Sequence, residues 1–473
     1  MNPAIPEYKK TGWCVGEERK GWVKNFFGTD GLRGVAGKYP LEPDFIKKLG
    51  YVAAATINDS SLPAGHQAEK KEFILGCDTR ESSLWISKAL SDGIMDAGVD
   101  VFDCGVVPTP AVAYITTIRG SSAGCVISAS HNSAEFNGIK FFSNEGIKIS
   151  DDKELEIEKL ILSKNFNKSE KPVGKYKVSD RYADEIYTKF LYSTLDKDFD
   201  LSGLKIVLDC ANGANYKIAP EAFSHLNAEI ITLSVSPDGK NINKNCGSMH
   251  LRNLQKAVVE NNADFGIAFD GDGDRCLFVD EKGENRDGDY LIAIAADYLS
   301  RSGELKNNSV VATIMANFGF YKAMERDGIK MLESAVGDKY VHDEMVKNDI
   351  ILGGEQSGHI IFRNFLNTGD GLLTSIQISA IIKKSKKSLS ELSKIIKKYP
   401  QILLNVKVEK KIPIAENKKL SDLIKSVERK LNGNGRVLVR YSGTEPLLRI
   451  MVEGPDDKTI NQYAQEIAAT INF

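Results

Sequence analysis

FGIAFDGDGDRCLFV, residues 265–279, sets a glycine-broken acidic run between two apolar ones. Asp270, Asp272 and Asp274 alternate with Gly271 and Gly273, so three like charges crowd one short turn. Carboxylates this close push one another toward the protonated form unless a cation shares them. Oxygen-only donors on a sharply turning loop suit a hard divalent cation, Mg2+ before others. Two other readings compete. One is an ordinary charged turn, since Asp and Gly are common turn formers. The other is an EF-hand, encouraged by Glu281 at the twelfth position, but Arg275 stands at the sixth, where that loop needs glycine. The CLFV that follows is also β-like rather than helical. The stretch therefore reads as strand, loop, strand, and the rest of the chain decides what the loop is for.

Outward from this stretch, 473 residues exceed what one hydrophobic core organises, and three or four domains are expected. Basic and acidic residues nearly balance (62 against 64, net charge −2), so no electrostatic case exists for nucleic acid or a membrane surface. No apolar run is long enough to span a bilayer, and residues 1–25 form a polar extension without an apolar signal core. Seven cysteines without a C-x-x-C pair give neither a disulfide framework nor a zinc knuckle. Cys77, Cys104, Cys125 and Cys276 lie in apolar runs as small hydrophobes, which fits a cytoplasmic setting.

Short apolar runs alternate with amphipathic helix-length segments, the pattern of an α/β chain with parallel-rich sheets. FILGCD (73–78), KIVLDC (205–210) and SVVATIM (309–315) read as buried strands, each leading through a loop into a helical pattern. Three comparable units imply repeated α/β domains. Basic polar stretches at 164–178 and 383–400 read as linkers, the second partly a basic-faced helix. Beyond them, ILLNVKV, GRVLVRY and LLRIMVEG with helices around 418–431 and 457–470 make a smaller α+β unit. The expected domains are 26–180, 181–283, 284–398 and 399–473, after the extension 1–25.

Four further constellations carry polar chemistry. CVISASHNSAEFNGIKFF (125–142) runs strand to strand through a loop centred on Ser130 and His131, whose small neighbours would leave Ser130 accessible as a nucleophile or phosphate carrier. No G-x-S-x-G elbow surrounds it, which disfavours an α/β-hydrolase. Lys140 ends the NGIK turn of this loop as an electrophile or acid/base group. RYSGTEP (440–446) follows a strand; Ser442, Gly443 and Thr444 with the fork of Arg440, and Arg449 on the next strand, form a phosphate cradle. In GGEQSGH (353–359), Glu355, Ser357 and His359 offer the mixed donors and acceptors that suit vicinal sugar hydroxyls, or else make a polar hairpin. FFGTDGLRG (26–34) brings Arg33, GDKY (337–340) brings Lys339, and Arg275 beside the aspartates is another basic candidate. Neither a Walker loop nor a dinucleotide fingerprint is present.

These segments, in this order, resemble the α-D-phosphohexomutase superfamily over residues 26 to about 465. SASHN (128–132) and GEQSGH (354–359) are most similar to its bacterial phosphoglucosamine-mutase branch; relatives acting on glucose and mannose phosphates more often show TASHN and another residue at the position of Gln356. The resemblance implies three related α/β domains with mixed sheets plus a smaller C-terminal α+β domain around a central cleft. It implies that Ser130 is phosphorylated and, with Asp270, Asp272 and Asp274, holds one Mg2+. It implies that Glu355, Ser357 and His359 grip the sugar, and that Arg440, Ser442, Gly443, Thr444 and Arg449 bind the phosphate that is not reacting. Arg33, Lys140 and His359 are left as acid/base or charge-stabilising candidates. Ser133 stands where the family usually has proline, which implies a looser loop. The implied reaction interconverts glucosamine 6-phosphate and glucosamine 1-phosphate, with a sugar 1,6-bisphosphate as activator. A small-molecule sugar phosphate is then the partner, and a homodimer stays open. The alternatives are a phosphoglucomutase/phosphomannomutase and a non-catalytic sugar-phosphate binding protein.

Overall fold

The computed structural model describes residues 24–28, 30–57, 69–163, 173–179, 181–441 and 446–471. The N-terminal extension lies outside these, but for its last two residues, and so do Ser442, Gly443 and Thr444. Four sheets carry the described chain. The three larger ones share a plan, built on the runs read as buried strands. In the first, Lys70–Cys77 lies between parallel Asp100–Val106 and Ser121–Ile127, and Ser121–Ile127 then pairs antiparallel with Phe136–Ser143. In the second, Lys205–Asp209 lies between parallel Glu229–Leu233 and Phe265–Phe269, and the latter turns into antiparallel Cys276–Asp280. In the third, Ser309–Thr313 lies between parallel Lys330–Ser334 and Leu352–Gly354, followed by antiparallel Ile360–Phe362. Each unit thus orders its strands 2-1-3-4, and each places one polar loop between strands 3 and 4. Those loops are SASHN, DGDGDR and EQSGH. Loops outside the carboxyl ends of parallel strands are where open α/β sheets bind ligands.

Inner strands of these sheets are covered on both faces and carry no charged residue: Ser121–Ile127, Phe265–Phe269 and Ser309–Thr313 are buried throughout. The fourth sheet is antiparallel, Gln401–Lys407, Leu447–Glu453 and Arg436–Tyr441, with helices Lys418–Leu431 and Asp457–Ala468 on it. Helices cover one face of that sheet, so the edge strand Gln401–Lys407 alternates between part-buried and exposed residues and the helices are amphipathic.

Two expectations fail here. Residues 383–400 are not a linker. Helix Gly371–Ser385 runs into them, a capping box between Ser388 and Glu391 starts the next helical turn, and Leu389 and Ile396 are buried. The lysines are the solvated side of a packed segment. Lys140 does not end a turn either: Asn137 to Lys140 belong to the strand Phe136–Ser143, where Ile139 pairs with Leu32.

Candidate active site

The serine and metal loops fit together because the glycines between the aspartates have no side chains. A Cβ on Gly271 would lie 2.5 Å from Ser130 O, and Gly273 takes a left-handed φ of +73°. Ser130 Oγ donates to Asp270 Oδ2 at 2.6 Å. Ser130 is itself left-handed (φ +51°), a conformation that costs a non-glycine residue ~1–3 kcal/mol and needs support. The support comes from Arg80 and Asn243, each donating to Ser130 O at 2.9 Å. Arg80 also donates to Asn132 O (2.8 Å), Phe136 O (3.0 Å) and Ser133 O, and its Nε to Asp78 Oδ2 at 2.8 Å. One buried guanidinium therefore shapes the whole loop, including the turn at Ser133. Its small neighbours do not leave Ser130 open: the residue is fully buried, because the aspartate loop and Arg80 enclose it.

Asp270, Asp272 and Asp274 are buried, and one ligand oxygen from each lies within 4.8 Å of the others. Thr109 fixes Asp272 twice, through Oγ1 to Oδ2 (2.8 Å) and N–H to the carbonyl (2.9 Å). Asp272 Oδ1 and Asp274 Oδ1 are buried without a hydrogen-bond partner among the described residues. Orphaned carboxylate oxygens of this kind are costly unless a cation accepts them, so the donor set fits a hard metal ion. Burial, then Asp272 and Asp274, push the Asp270 carboxyl well above the usual range. Burial acts the same way on Asp274, but Lys140 and His359 outweigh it and hold that carboxyl well below the range.

The basic candidates separate. Lys140 Nζ is 2.9 Å from Asp30, 3.6 Å from Asp272 and 3.5 Å from Asp274; against its burial, these three hold its pKa up, so it is a fixed cation. His359 Nδ1 lies 3.5 Å from Asp274 Oδ2, which raises its pKa against the opposing effect of burial. Arg275 Nη1 lies 3.3 Å from His131 Nδ1, and burial, then Arg275, lower the His131 pKa. Arg33 pairs with Asp30, and its buried Nε has no acceptor among the described residues. Ser130, Arg33, Lys140, Arg275, His359 and the aspartates therefore form one connected cluster.

Other residues stand apart from it. Lys339 Nζ donates to Asp151 Oδ2 at 2.7 Å, joining the third unit to the first. Glu355 accepts from Gly337 N–H at 3.0 Å, and Ser357 is exposed. Gln356 turns inward and donates to Asp289 Oδ2 at 3.2 Å. Arg440 and Arg449 face one another on adjacent strands of the C-terminal sheet. Reading the sequence missed Asp78, Arg80, Thr109 and Asn243. The one signal available was polar residues directly after a buried strand, as in FILGCDTR.

Four stretches of the chain match the phosphoglucomutase/phosphomannomutase family: alpha/beta/alpha domain I over residues 24–168, domain II over 180–283, domain III over 287–399 and the C-terminal domain over 403–470. A phosphoglucosamine mutase of Citrifermentans bemidjiense is 48% identical over 453 residues, 95% of this chain and 98% of the relative. A phosphoglucomutase/phosphomannomutase family protein of Burkholderia thailandensis superposes with a TM-score of 0.76 at 23% identity, covering 94% of this chain and 96% of that one. An Aspergillus fumigatus N-acetylphosphoglucosamine mutase, crystallised with GlcNAc-6P and magnesium, superposes with a TM-score of 0.65 at 18% identity, over 94% and 95% of the two chains.

Proposed function

The chain belongs to the phosphoglucomutase/phosphomannomutase family, and from that premise we propose that it is a phosphoglucosamine mutase, an isomerase interconverting glucosamine 6-phosphate and glucosamine 1-phosphate. The observation that carries the reading is the 2.6 Å contact of Ser130 Oγ with Asp270 beside two carboxylate oxygens that lack hydrogen-bond partners among the described residues. A seryl phosphate at that position brings more negative charge to three buried carboxylates. A divalent metal, Mg2+ by its preference for oxygen, would be held by Asp270, Asp272 and Asp274 and would neutralise that charge.

The chain's own residues divide the work. Phospho-Ser130 gives its phosphoryl group to the free hydroxyl of the sugar phosphate, forming a 1,6-bisphosphate. The bisphosphate turns over and returns its other phosphate to Ser130. Both orientations need a second anion site, which Arg440 and Arg449 supply with Ser442, Gly443 and Thr444. Glu355, Ser357 and His359 hold the sugar in either orientation. Lys140 and Arg33 stabilise the transferring charge as cations, and His359, whose pKa Asp274 raises against the opposing effect of burial, is the acid/base candidate beside the aspartate loop. Positioning and electrostatic neutralisation supply most of the acceleration in such transfers. Added sugar 1,6-bisphosphate restores enzyme that has lost its phosphate. The six described cysteines, all free and buried, suit a reducing cytoplasm.

The amino-sugar preference rests on similarity to the curated relatives. It is tested by comparing kcat/KM for glucosamine 6-phosphate, glucose 1-phosphate and mannose 1-phosphate with Mg2+ and bisphosphate supplied. Preference for the amino sugar supports the reading; preference for the others keeps the mechanism and overturns the substrate. No turnover of any of them, with Ser130 phosphorylated, returns the protein to sugar-phosphate binding alone.

A further inference from the structure

Gln356 lies between Glu355 and Ser357 on the sugar turn, and its half-buried side chain donates to Asp289 Oδ2. Its own carbonyl accepts from Gly288 N–H at 3.0 Å, so the turn is tied at two points to the start of helix Gly288–Arg301. The same Asp289 Oδ2 accepts from the backbone N–H of Asn317 at 2.8 Å. Asn317 is fully buried and its amide is fully used. Nδ2 donates to Tyr399 O (3.0 Å) and to Glu453 Oε1 (3.0 Å), and Oδ1 accepts from Tyr399 N–H (2.9 Å) and Gly319 N–H (3.0 Å).

Tyr399 is where the chain leaves the third unit, two residues before the first strand of the C-terminal sheet. Glu453 ends that sheet's central strand. Glu453 Oε1 also accepts from Phe318 N–H at 3.1 Å, and Arg436 of the same sheet reaches Tyr321 OH at 2.8 Å and Ala316 O. The C-terminal sheet thus meets residues 316–321 through a compact set of buried polar contacts. Asp289 Oδ1 is buried without a hydrogen-bond partner among the described residues, but the Asn317 amide at the centre of the set is fully used and has few alternative arrangements, so a shift at one of its partners is felt by the others.

We propose that Gln356, Asp289 and Asn317 are positioning residues that transmit the seating of the sugar on the Glu355–Ser357 turn to the C-terminal sheet, and so set where Arg440 and Arg449 meet the substrate's second phosphate. This rests on the mutase reading above. None of the three need touch substrate. When the turn closes on a sugar, Gln356 draws on Asp289, Asp289 on Asn317, and Asn317 on the Tyr399 peptide and Glu453 together.

The test is a double-mutant cycle on the full chain with Gln356→Ala and Asn317→Ser, the serine keeping an acceptor for the cap of helix Phe318–Arg326 while losing the donor to Glu453. Each single variant is expected to raise KM for glucosamine 6-phosphate about fivefold or more with kcat at saturation nearly kept, and the pair to do no worse than the worse single. A merely structural role lowers the active fraction, and therefore kcat, without moving KM. Effects on KM that multiply, or a loss confined to kcat, overturn the proposal while wild-type turnover leaves the mutase reading standing. A wild-type chain that turns over no hexose phosphate removes the mutase reading and this inference with it. If Asn317→Ser does not fold, Glu453→Gln, which keeps length and one acceptor oxygen, replaces it in the cycle.

Discussion

Arg440 and Arg449 stand directly opposite each other across the antiparallel strands Arg436–Tyr441 and Leu447–Glu453. Like charges at facing positions of a ladder are destabilising. Burial and the neighbouring Arg449 both lower the Arg440 pKa, and an anion bound beside the two would favour their charged forms. Inorganic phosphate is therefore expected to raise the Tm of the wild type, and to raise it less in Arg440→Gln. Equal shifts in both proteins, read by calorimetry at matched ionic strength, would show that the arginines do not form the anion site.

Ser130→Ala removes only the Oγ that reaches Asp270, while the backbone contacts from Arg80 and Asn243 remain. Mutase turnover should fall to background with far-UV dichroism unchanged. Metal removal should act through the other half of the same pairing. Treatment with EDTA is expected to abolish turnover and added Mg2+ to restore it, because the orphaned oxygens of Asp272 and Asp274 would otherwise face the seryl phosphate uncompensated. Activity that persists in EDTA would count against the aspartate loop as a metal site.

The loops that bring Ser130, the aspartates and His359 together were legible because their chemistry is local. DGDGDR, SASHN and GEQSGH are each short polar turns between apolar strands, and period and composition suffice to place them. What was not legible is who holds them. Arg80 reaches the serine loop from 50 residues away, and Asn243 from 113 on the other side. Nothing in a local pattern marks such partners. The burial of Ser130 was missed for the same reason, since small neighbours describe the loop but not the second loop folded over it. The basic stretch after residue 383 misled because lysine marks a solvated face, and that face belongs to a packed helix as easily as to a linker.

Arg80 also permits a stability prediction. Its guanidinium and the Asp78 carboxylate are both fully buried and pair at 2.8 Å, with Ser83 Oγ and Ser128 Oγ donating to the same carboxylate. Removing one member of a buried ion pair leaves the other uncompensated, at a cost of ~3–5 kcal/mol. Arg80→Met is expected to lose stability on that scale in urea denaturation. Arg80→Lys keeps the charge but not the fork that spans four carbonyls, so it should retain most stability and lose turnover as the serine loop slackens. Unchanged activity in Arg80→Lys would show that the loop holds its shape without that fork.

Asp289 gives the chain a dependence on pH that does not involve the metal loop. The residue is buried beside Asp287 and near Glu453, with Lys398 the cation opposing them, and burial, then Asp287, push its carboxyl from 3.8 up to about 7. Lys398 pairs with Asp287 rather than with Asp289. A folded pKa above the unfolded one means that folding takes up a proton. The stability this contributes is complete below about pH 3.8 and is lost as pH rises through about 7. Asp289→Asn keeps a neutral acceptor for Asn317 N–H and Gln356 but cannot ionise. The stability of the variant relative to wild type should therefore climb from pH 4 to 7 and level off above it. Denaturation midpoints in urea across that range check this directly. A difference that stays flat would mean that Asp289 keeps an ordinary carboxylate pKa in the folded protein.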